Sequence, residues 1–546
     1  QFIMPKNNEN SFGSFFSLPN PQLRSYFGRV RRGQPVEYRT KFAHKSSVEE
    51  VLQDWSHHLS TLEHEWPSLF AFENDLRDKV GPMSIMKPLK ERMEDIDHYY
   101  SDVLLPSVPI SDRAVKAILK EYSSIRGLRV RPQSETVLQM KLSTNSGSPF
   151  FAKRRDVLED TVYCDVRSES HSTTDYPIQY LQLKKDVWKR DSKVMSADNK
   201  YGCAAVLGWR GQEGGPKPSD VKQRVVWMFP FAVNINELQV YQPLIESCQR
   251  FRLIPSWVNM EAVDASITKL FDTKADDDLV VCTDFSKFDQ HFNTSMQNAA
   301  KHILEGILED NENARRWLDN VFPIKYEIPL AYDYDKVRYG RHGMGSGSGG
   351  TNADETLAHR ALQYEAAQAA GQRLNLHSQC LGDDGIISYP GITVEDVVNS
   401  YSSHGLEMNV DKQYASTDDC VYLRRWHHKD YREHGICVGV YSTYRALGRL
   451  MEQERLYRHW SRKAVALRQL SILENVKYHP LKEEFVKFCI KRDKYRLGLD
   501  IPGFFDDIER VAKDAIEAFT DFLGYTKTLQ GDPKDTLTGI SGWEVV

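Results

Sequence analysis

The stretch Cys380-Leu381-Gly382-Asp383-Asp384-Gly385 places two carboxylates side by side between apolar runs, where short strands flanking Gly382 to Gly385 predict a tight hairpin turn with both acids at its tip. Taken alone, an Asp-Asp pair in a turn is an ordinary solvated turn. A partner lies about a hundred residues upstream. Leu279-Val280-Val281-Cys282 is apolar and β-branched enough to be a central strand, which would deliver Asp284 to the strand's end, with Asp289 five residues on. If that strand pairs with the hairpin, Asp284 and Asp383 converge. Carboxylates on rigid strands suit two Mg²⁺ ions, which take oxygen ligands and are shared with substrate phosphates; whether Mn²⁺ substitutes stays open. Two such ions roughly 4 Å apart activate an attacking hydroxyl and stabilise a leaving pyrophosphate. The triplet Asp276-Asp277-Asp278 reads as a solvated turn before the strand.

A third element is Gly343-Met344-Gly345-Ser346-Gly347-Ser348-Gly349-Gly350-Thr351-Asn352, followed by an Ala-rich helix that stops at Gly371. Gly345, Gly347 and Gly350 formally satisfy the dinucleotide fingerprint, but Tyr339-Gly340-Arg341-His342 reads as loop where that fingerprint needs a strand. No G-K-[ST] occurs, which excludes a P-loop. The glycines predict a loop whose backbone approaches a ligand closely and feeds a helix N-terminus. Asn352-x-x-Glu355 matches a capping box.

These residues need a large scaffold, and 546 residues supply it. An apolar fraction of 40% with 27% charged residues excludes disordered and collagen-like classes. The longest apolar run, 225–233, is too short to span a bilayer and contains Pro230, so no membrane partner is expected. No secretory signal pattern stands at the start. Eight cysteines without a C-x-x-C pair argue against a disulfide framework or zinc knuckle, and His57-His58 and His427-His428 lack further ligand spacing. A net charge of −5 means that any nucleic-acid surface must come from segregated basic patches. Three exist: 21–45 with seven Lys/Arg against one acid, 184–224 with ten against five, and 445–468 with seven against two.

The order D-x4-D at 284–289, S-G-x-x-x-T at 346–351 and G-D-D at 382–384 resembles motifs A, B and C of the viral RNA-dependent RNA polymerases. Ser146-Gly147-Ser148-Pro149 resembles motif G, Lys222-Gln223-Arg224 motif F, Gly405 to Lys412 motif D, and Tyr422-Leu423-Arg424-Arg425 motif E. The motifs span about half the chain in the family's order. Within it the chain is most similar to the polymerases of picobirnaviruses, small bisegmented double-stranded RNA viruses, with partitivirus-like enzymes the near alternative.

The resemblance implies an α+β fold, a closed right hand of fingers, palm and thumb, with an antiparallel palm sheet backed by helices and a helical thumb. Its expected bounds are an N-terminal arm at 1–45, fingers with fingertips at 46–277 (palm entry near 225–277), palm at 278–425 with a fingers insertion near 305–342, thumb at 426–523 and a tail at 524–546. It implies Asp284, Asp383 and Asp384 at the metals and Lys412 as proton donor to the departing pyrophosphate. Asp289, Ser346, Thr351 and Asn352 would hold the incoming ribose, and Lys222 and Arg224 its triphosphate. Ser146, Gly147, Pro149, Arg424, Arg425, Arg445 and Arg449 would contact RNA, with a thumb helix around 445–468 tracking the product backbone. Many family members carry Asn where this chain has Glu355, which leaves that residue between helix capping and sugar selection. Which of Lys189, Arg190 and Lys193 reaches the nucleotide stays open. The arm at 12–45 would tie fingers to thumb or meet a capsid protein, and the tail would fold back as a stop or priming platform.

The expected activity is RNA-directed RNA synthesis by a monomer able to start without a primer, acting on an RNA template, the product duplex and ribonucleoside triphosphates inside the virion and in the host cytoplasm. The rivals are a reverse transcriptase and an inactive RNA-binding core protein. Both catalytic aspartates and Lys412 are present, which weighs against degeneration.

Overall fold

The computed structural model describes residues 38–85, 87–147, 152–161, 204–333, 336–453 and 461–510. Pro149, the 189–193 basic run and the 524–546 tail lie outside them. Mixed helix and sheet is observed, as expected, and among the described residues no helix is long and apolar enough to cross a membrane.

The centre is a four-stranded antiparallel sheet in the order β7 (Gln379–Leu381), β8 (Asp384–Ile387), β4 (Val280–Thr283), β9 (Tyr414–Ser416). All four residues of β4 are buried, as a central strand between helices requires. A second sheet runs β3 (Lys222–Met228), β2 (Ala205–Gln212), β5 (Leu330–Asp333), β6 (Lys336–Arg338). On β3 the period of two is clean, with Gln223, Val225 and Trp227 inward and Lys222 and Arg224 exposed. A third sheet joins β10 (Asp419–Tyr422), β11 (Arg425–His428) and β12 (Val440–Tyr441).

The N-terminal segment is bound to the C-terminal helices. β1 (Tyr38–Arg39) pairs antiparallel with β13 (Glu452–Gln453), and Phe42, Trp55 and Leu59 share a core with Leu447, Leu467 and Phe485. Helix α1 (Pro67–Arg77) carries the fully buried Glu73, which accepts from the Thr443 N–H at 2.8 Å, from the Ser442 and Thr443 hydroxyls, and lies 3.1 Å from His479. The described end of the arm therefore packs on the C-terminal region. The basic region 445–468 is not one helix: α6 (Thr443–Met451) ends before β13, and a separate helix begins at Arg462.

Behind the sheets lie α2 (Phe231–Arg250), buried on nearly every side for its first fifteen residues, α3 (Met260–Thr273), the short α4 (Phe288–His291) and α5 (Thr351–Ala369). Such all-round burial is the mark of an interior helix. The 343–350 loop is locked between them. The Glu237 carboxylate takes the Gly349 N–H at 3.0 Å, Asn234 at 3.2 Å and the Ser348 hydroxyl. One turn on, Asp354 and Lys325 form a fully buried ion pair at 3.0 Å, and Tyr241 (2.7 Å) and Tyr326 (2.6 Å) donate to the same carboxylate. The glycines serve this packing: a Cβ on Gly347 would sit 1.7 Å from the Trp227 carbonyl oxygen, so the close approach is to the protein's own backbone rather than to a ligand.

Candidate active site

The β7–β8 turn is tighter than expected. Leu381 pairs with Asp384, leaving only Gly382 and Asp383 at the tip, and Gly382 takes φ +57, which glycine adopts without steric cost. Asp384 is thus the first residue of β8, and its Oδ2 accepts the Leu423 N–H at 2.8 Å. β4 pairs with β8 so that Thr283 lies opposite Gly385, which sets Asp284 beside the turn. Gln413 continues the ladder where β9 ends: its Oε1 accepts the Asp284 N–H at 2.7 Å and its Nε2 donates to the Asp284 carbonyl at 2.9 Å. The turn is braced from α5, where Thr356 Oγ1 accepts the Gly382 N–H at 2.9 Å and His359 Nδ1 donates to the Gly382 carbonyl at 2.9 Å.

All three aspartates are held above the ordinary carboxylate range. For Asp383 burial dominates, followed by Asp289, with Arg224 opposing. Burial and then the Asp383 charge push Asp384 up to about 7. Asp284 rises through burial, offset by Lys412, Lys79 and Lys222. Burial is the first cause at all three, and neighbouring carboxylates add to it at Asp383 and Asp384.

Glu355 belongs to this cluster. The capping-box expectation fails because the helix starts at Thr351 with Gly350 as its N-cap, which puts Glu355 a turn inside. The side chain is 6% exposed, shares a hydrogen bond with Asp289, and is raised well above the usual range by burial and by the Asp289 charge. Two carboxyls this close disfavour the doubly ionised pair, and Glu355 is the one whose environment is raised most clearly. An ideal Cβ on Gly382 would lie 3.9 Å from both Glu355 Oε1 and Asn352 Nδ2, so both side chains face the β7–β8 turn.

The remaining expected residues divide. Lys222 and Arg224 project from β3, and their charges act on Asp284 and on Asp383 and Glu355. Lys412 is exposed on a 3₁₀ turn (Val410–Lys412), close enough for its charge to act on Asp284. Ser346 Oγ accepts the Trp227 N–H at 3.2 Å, Thr351 Oγ1 donates to the Gly345 carbonyl at 3.1 Å, and Asn352 Oδ1 accepts from Trp257 Nε1 at 2.9 Å. Arg425 is corrected: it is buried in a bidentate pair with Asp264, both contacts 2.8 Å, and has no face for RNA. Ser146 is likewise buried, its hydroxyl taking the Ala152 N–H at 3.2 Å, while Gly147 (φ +64) packs on the Phe229 carbonyl. Arg445 is half-buried and paired with Glu213 at 3.1 Å, and Arg449 and Arg424 act on the same carboxylate. His427 is buried, with Nδ1 at 2.9 Å from the Cys437 carbonyl. Sequence reasoning missed Gln413, His359, Thr356 and Lys79. Helical spacing was the available signal for α5, since Glu355 and His359 share one face.

Comparison with known proteins gives the family. The family model for viral RNA-dependent RNA polymerase matches residues 211–440. A potential RNA-dependent RNA polymerase of human picobirnavirus (strain Human/Thailand/Hy005102/-) is 57% identical over 542 residues, 98% of each chain. The chain belongs to the viral RNA-dependent RNA polymerases. This polymerase also resembles the crystal structure of the RNA-dependent RNA polymerase of a human picobirnavirus, at 55% identity, TM-score 0.85 and 98% of each chain. The insertion loop deletion mutant of such an enzyme matches at 55% identity and TM-score 0.82, over 94% of this polymerase and 97% of that chain. The polymerase is thus an RNA-directed RNA polymerase of the double-stranded RNA virus type.

Proposed function

We propose that RNA-templated nucleotidyl transfer takes place where Asp284, at the end of β4, meets Asp383 in the β7–β8 turn. The observation that carries this reading is the strand register that sets Asp284 beside the turn, together with the raised carboxylates. Among the described residues no three ligand-type side chains converge as a ready-made cage. The donor set fits ions that complete their shells with water and triphosphate oxygens, as Mg²⁺ does. Asp284 and Asp383 would hold them, with Asp384 beside; when bound, such ions activate the attacking 3′-hydroxyl and stabilise the pyrophosphate.

Around that centre the side chains orient and select. Lys222 and Arg224 receive the triphosphate, and Lys412 hands a proton to the departing pyrophosphate. Asp289 accepts a hydrogen bond from the ribose 2′-hydroxyl and is held in place by the Glu355 proton, with Asn352, Ser346 and Thr351 completing the sugar pocket. Gly147, Arg424, Arg445 and Arg449 lie along the RNA path. The β4/β8 sheet is the palm, 46–277 with the β3/β2 sheet the fingers, and the helices beyond 426 the thumb, tied to the fingers through the arm. The enzyme starts without a primer, as a monomer, in the virion interior and the host cytoplasm.

The reading is tested by ribo- against deoxynucleotide incorporation on an RNA template. Wild type is expected to prefer ribonucleotides strongly. Glu355→Gln, which keeps a donor toward Asp289, retains that preference, and Glu355→Ala loses roughly tenfold or more of it, the value of one buried charge-assisted hydrogen bond. Equal preference in all three would remove Glu355 from sugar selection, and a deoxynucleotide preference would favour reverse transcription.

Metal binding carries its own signature. Because the folded protein raises Asp384 from 3.8 to about 7, it binds more protons than the unfolded chain in that window. The metal-free fold therefore loses stability as pH rises from about 4 to about 7. Mg²⁺ is expected to raise the melting temperature markedly at about pH 8 and little at about pH 5, where protons compete for the same oxygens. An equal shift at both pH values, or none, would contradict metal binding at these aspartates.

A further inference from the structure

A cleft of about 350 Å³ opens on the outer edge of β7, between that strand, α3 and the turn that follows α2. Strand β7 ends its sheet, so this face lies on the far side from β8. Arg252 and Lys269 line the cleft, are exposed, and make no ion pair with any described residue. Among the described residues the one acid in the lining, Glu121, is already engaged by Arg360 at 2.5 Å. Burial lowers the His377 pKa, and the charges of Lys269 and Arg360 depress it further, so the positive field converges on one wall. Gln379 is 3% exposed; its Nε2 donates to the Val263 carbonyl at 3.2 Å, while its Oε1 is buried without a partner. A buried acceptor left unmade costs on the order of 1–3 kcal/mol, so a donor arriving here is rewarded.

The occupant this wall recognises carries an anion for two free cations, a hydroxyl or amino donor for Gln379, and the bulk to fill a ligand-sized space. A guanidinium and an ammonium together match phosphate oxygens. We propose that the cleft is a second ligand site of the polymerase, taking a nucleotide-sized phosphomonoester with its phosphate toward Arg252 and Lys269 and a hydroxyl or amino group on Gln379. The site is coupled to the chemistry by shared residues. Arg360 donates to the Ser378 carbonyl at 2.6 Å, and Thr356, also in the lining, accepts the Gly382 N–H at 2.9 Å. Occupancy stiffens the strand that ends in the catalytic turn.

The probe is AMP, titrated calorimetrically into the full chain in metal-free buffer, with inorganic phosphate as comparison. Wild type is expected to bind AMP at millimolar concentration or tighter, and more tightly than phosphate. Lys269→Glu combined with Arg252→Asn weakens AMP roughly tenfold or more, the value of a charge-assisted hydrogen bond; asparagine is tolerated at the Arg252 φ of +53. Asp383→Asn leaves AMP affinity unchanged, which separates this cleft from the catalytic carboxylates. Amide exchange across Ser378 to Gly385 slows with AMP in wild type and not in the double variant. Absence of binding, AMP affinity kept in the double variant, affinity lost in Asp383→Asn, or phosphate binding as tightly as AMP would each overturn the proposal.

Discussion

Asp383→Asn is expected to reduce ribonucleotide incorporation by on the order of a thousandfold while leaving the fold intact. The substitution keeps the shape of the side chain at the tip of the turn, where Leu381 and Asp384 pair below it and α5 braces Gly382 from behind. What it removes is one formal negative charge from a site whose carboxylates are already raised by burial and by one another. An uncharged amide oxygen binds a hard divalent cation less strongly than a carboxylate, because it lacks the negative charge. Losing several kcal/mol of transition-state charge stabilisation, at about 1.4 kcal/mol per tenfold, gives that magnitude. The same variant relieves repulsion with Asp384 and is expected to melt no lower than wild type without metal. Measuring kcat together with the melting temperature separates the two effects: lost activity with an unchanged melt supports a chemical role, whereas retained activity contradicts it.

Asp354→Ala is expected to have the largest effect on stability. Lys325 and Asp354 are both fully buried, and the carboxylate also satisfies the Tyr241 and Tyr326 hydroxyls. Truncation leaves an ammonium and two phenols without their acceptor in the interior; breaking a buried pair from one side costs roughly 3–5 kcal/mol. Burial already pushes the Lys325 pKa down against the pull of Asp354. A melting temperature lower by about 3–4 °C is expected. The double variant Asp354→Leu with Lys325→Met should recover much of that loss, since replacing a buried pair with apolar groups costs far less than breaking it. A single variant that melts with wild type would show that the 343–350 loop is held by other contacts, Glu237 first among them.

Sequence made the three acidic positions legible because each sits at the end of a short apolar run, and strand pairing does the rest. It left Glu355 between helix capping and sugar selection; N-x-x-E is only a capping box when Asn is the N-cap, and here Gly350 holds that place, at φ −107 and ψ 3, which removes the capping reading. Arg425 was misread for a different reason. Its neutralising partner Asp264 is 161 residues away, so a strand arginine that is clamped inside looks the same as one that faces RNA. The polar braces Gln413, Thr356 and His359 were invisible on the same ground, because their targets are backbone groups of distant strands. The single basic helix expected over 445–468 gave way to two because β13 pairs with the N-terminal β1, a contact that spans more than four hundred residues.

The most direct test of the central claim is synthesis on a single-stranded RNA whose 3′-hydroxyl is blocked, with labelled ribonucleotides, Mg²⁺ and no primer. Template-length product that resists single-strand ribonuclease until denatured is expected, and it disappears when the metal is chelated. Product of random length that forms without template, or template-length product that persists with the metal removed, would contradict it.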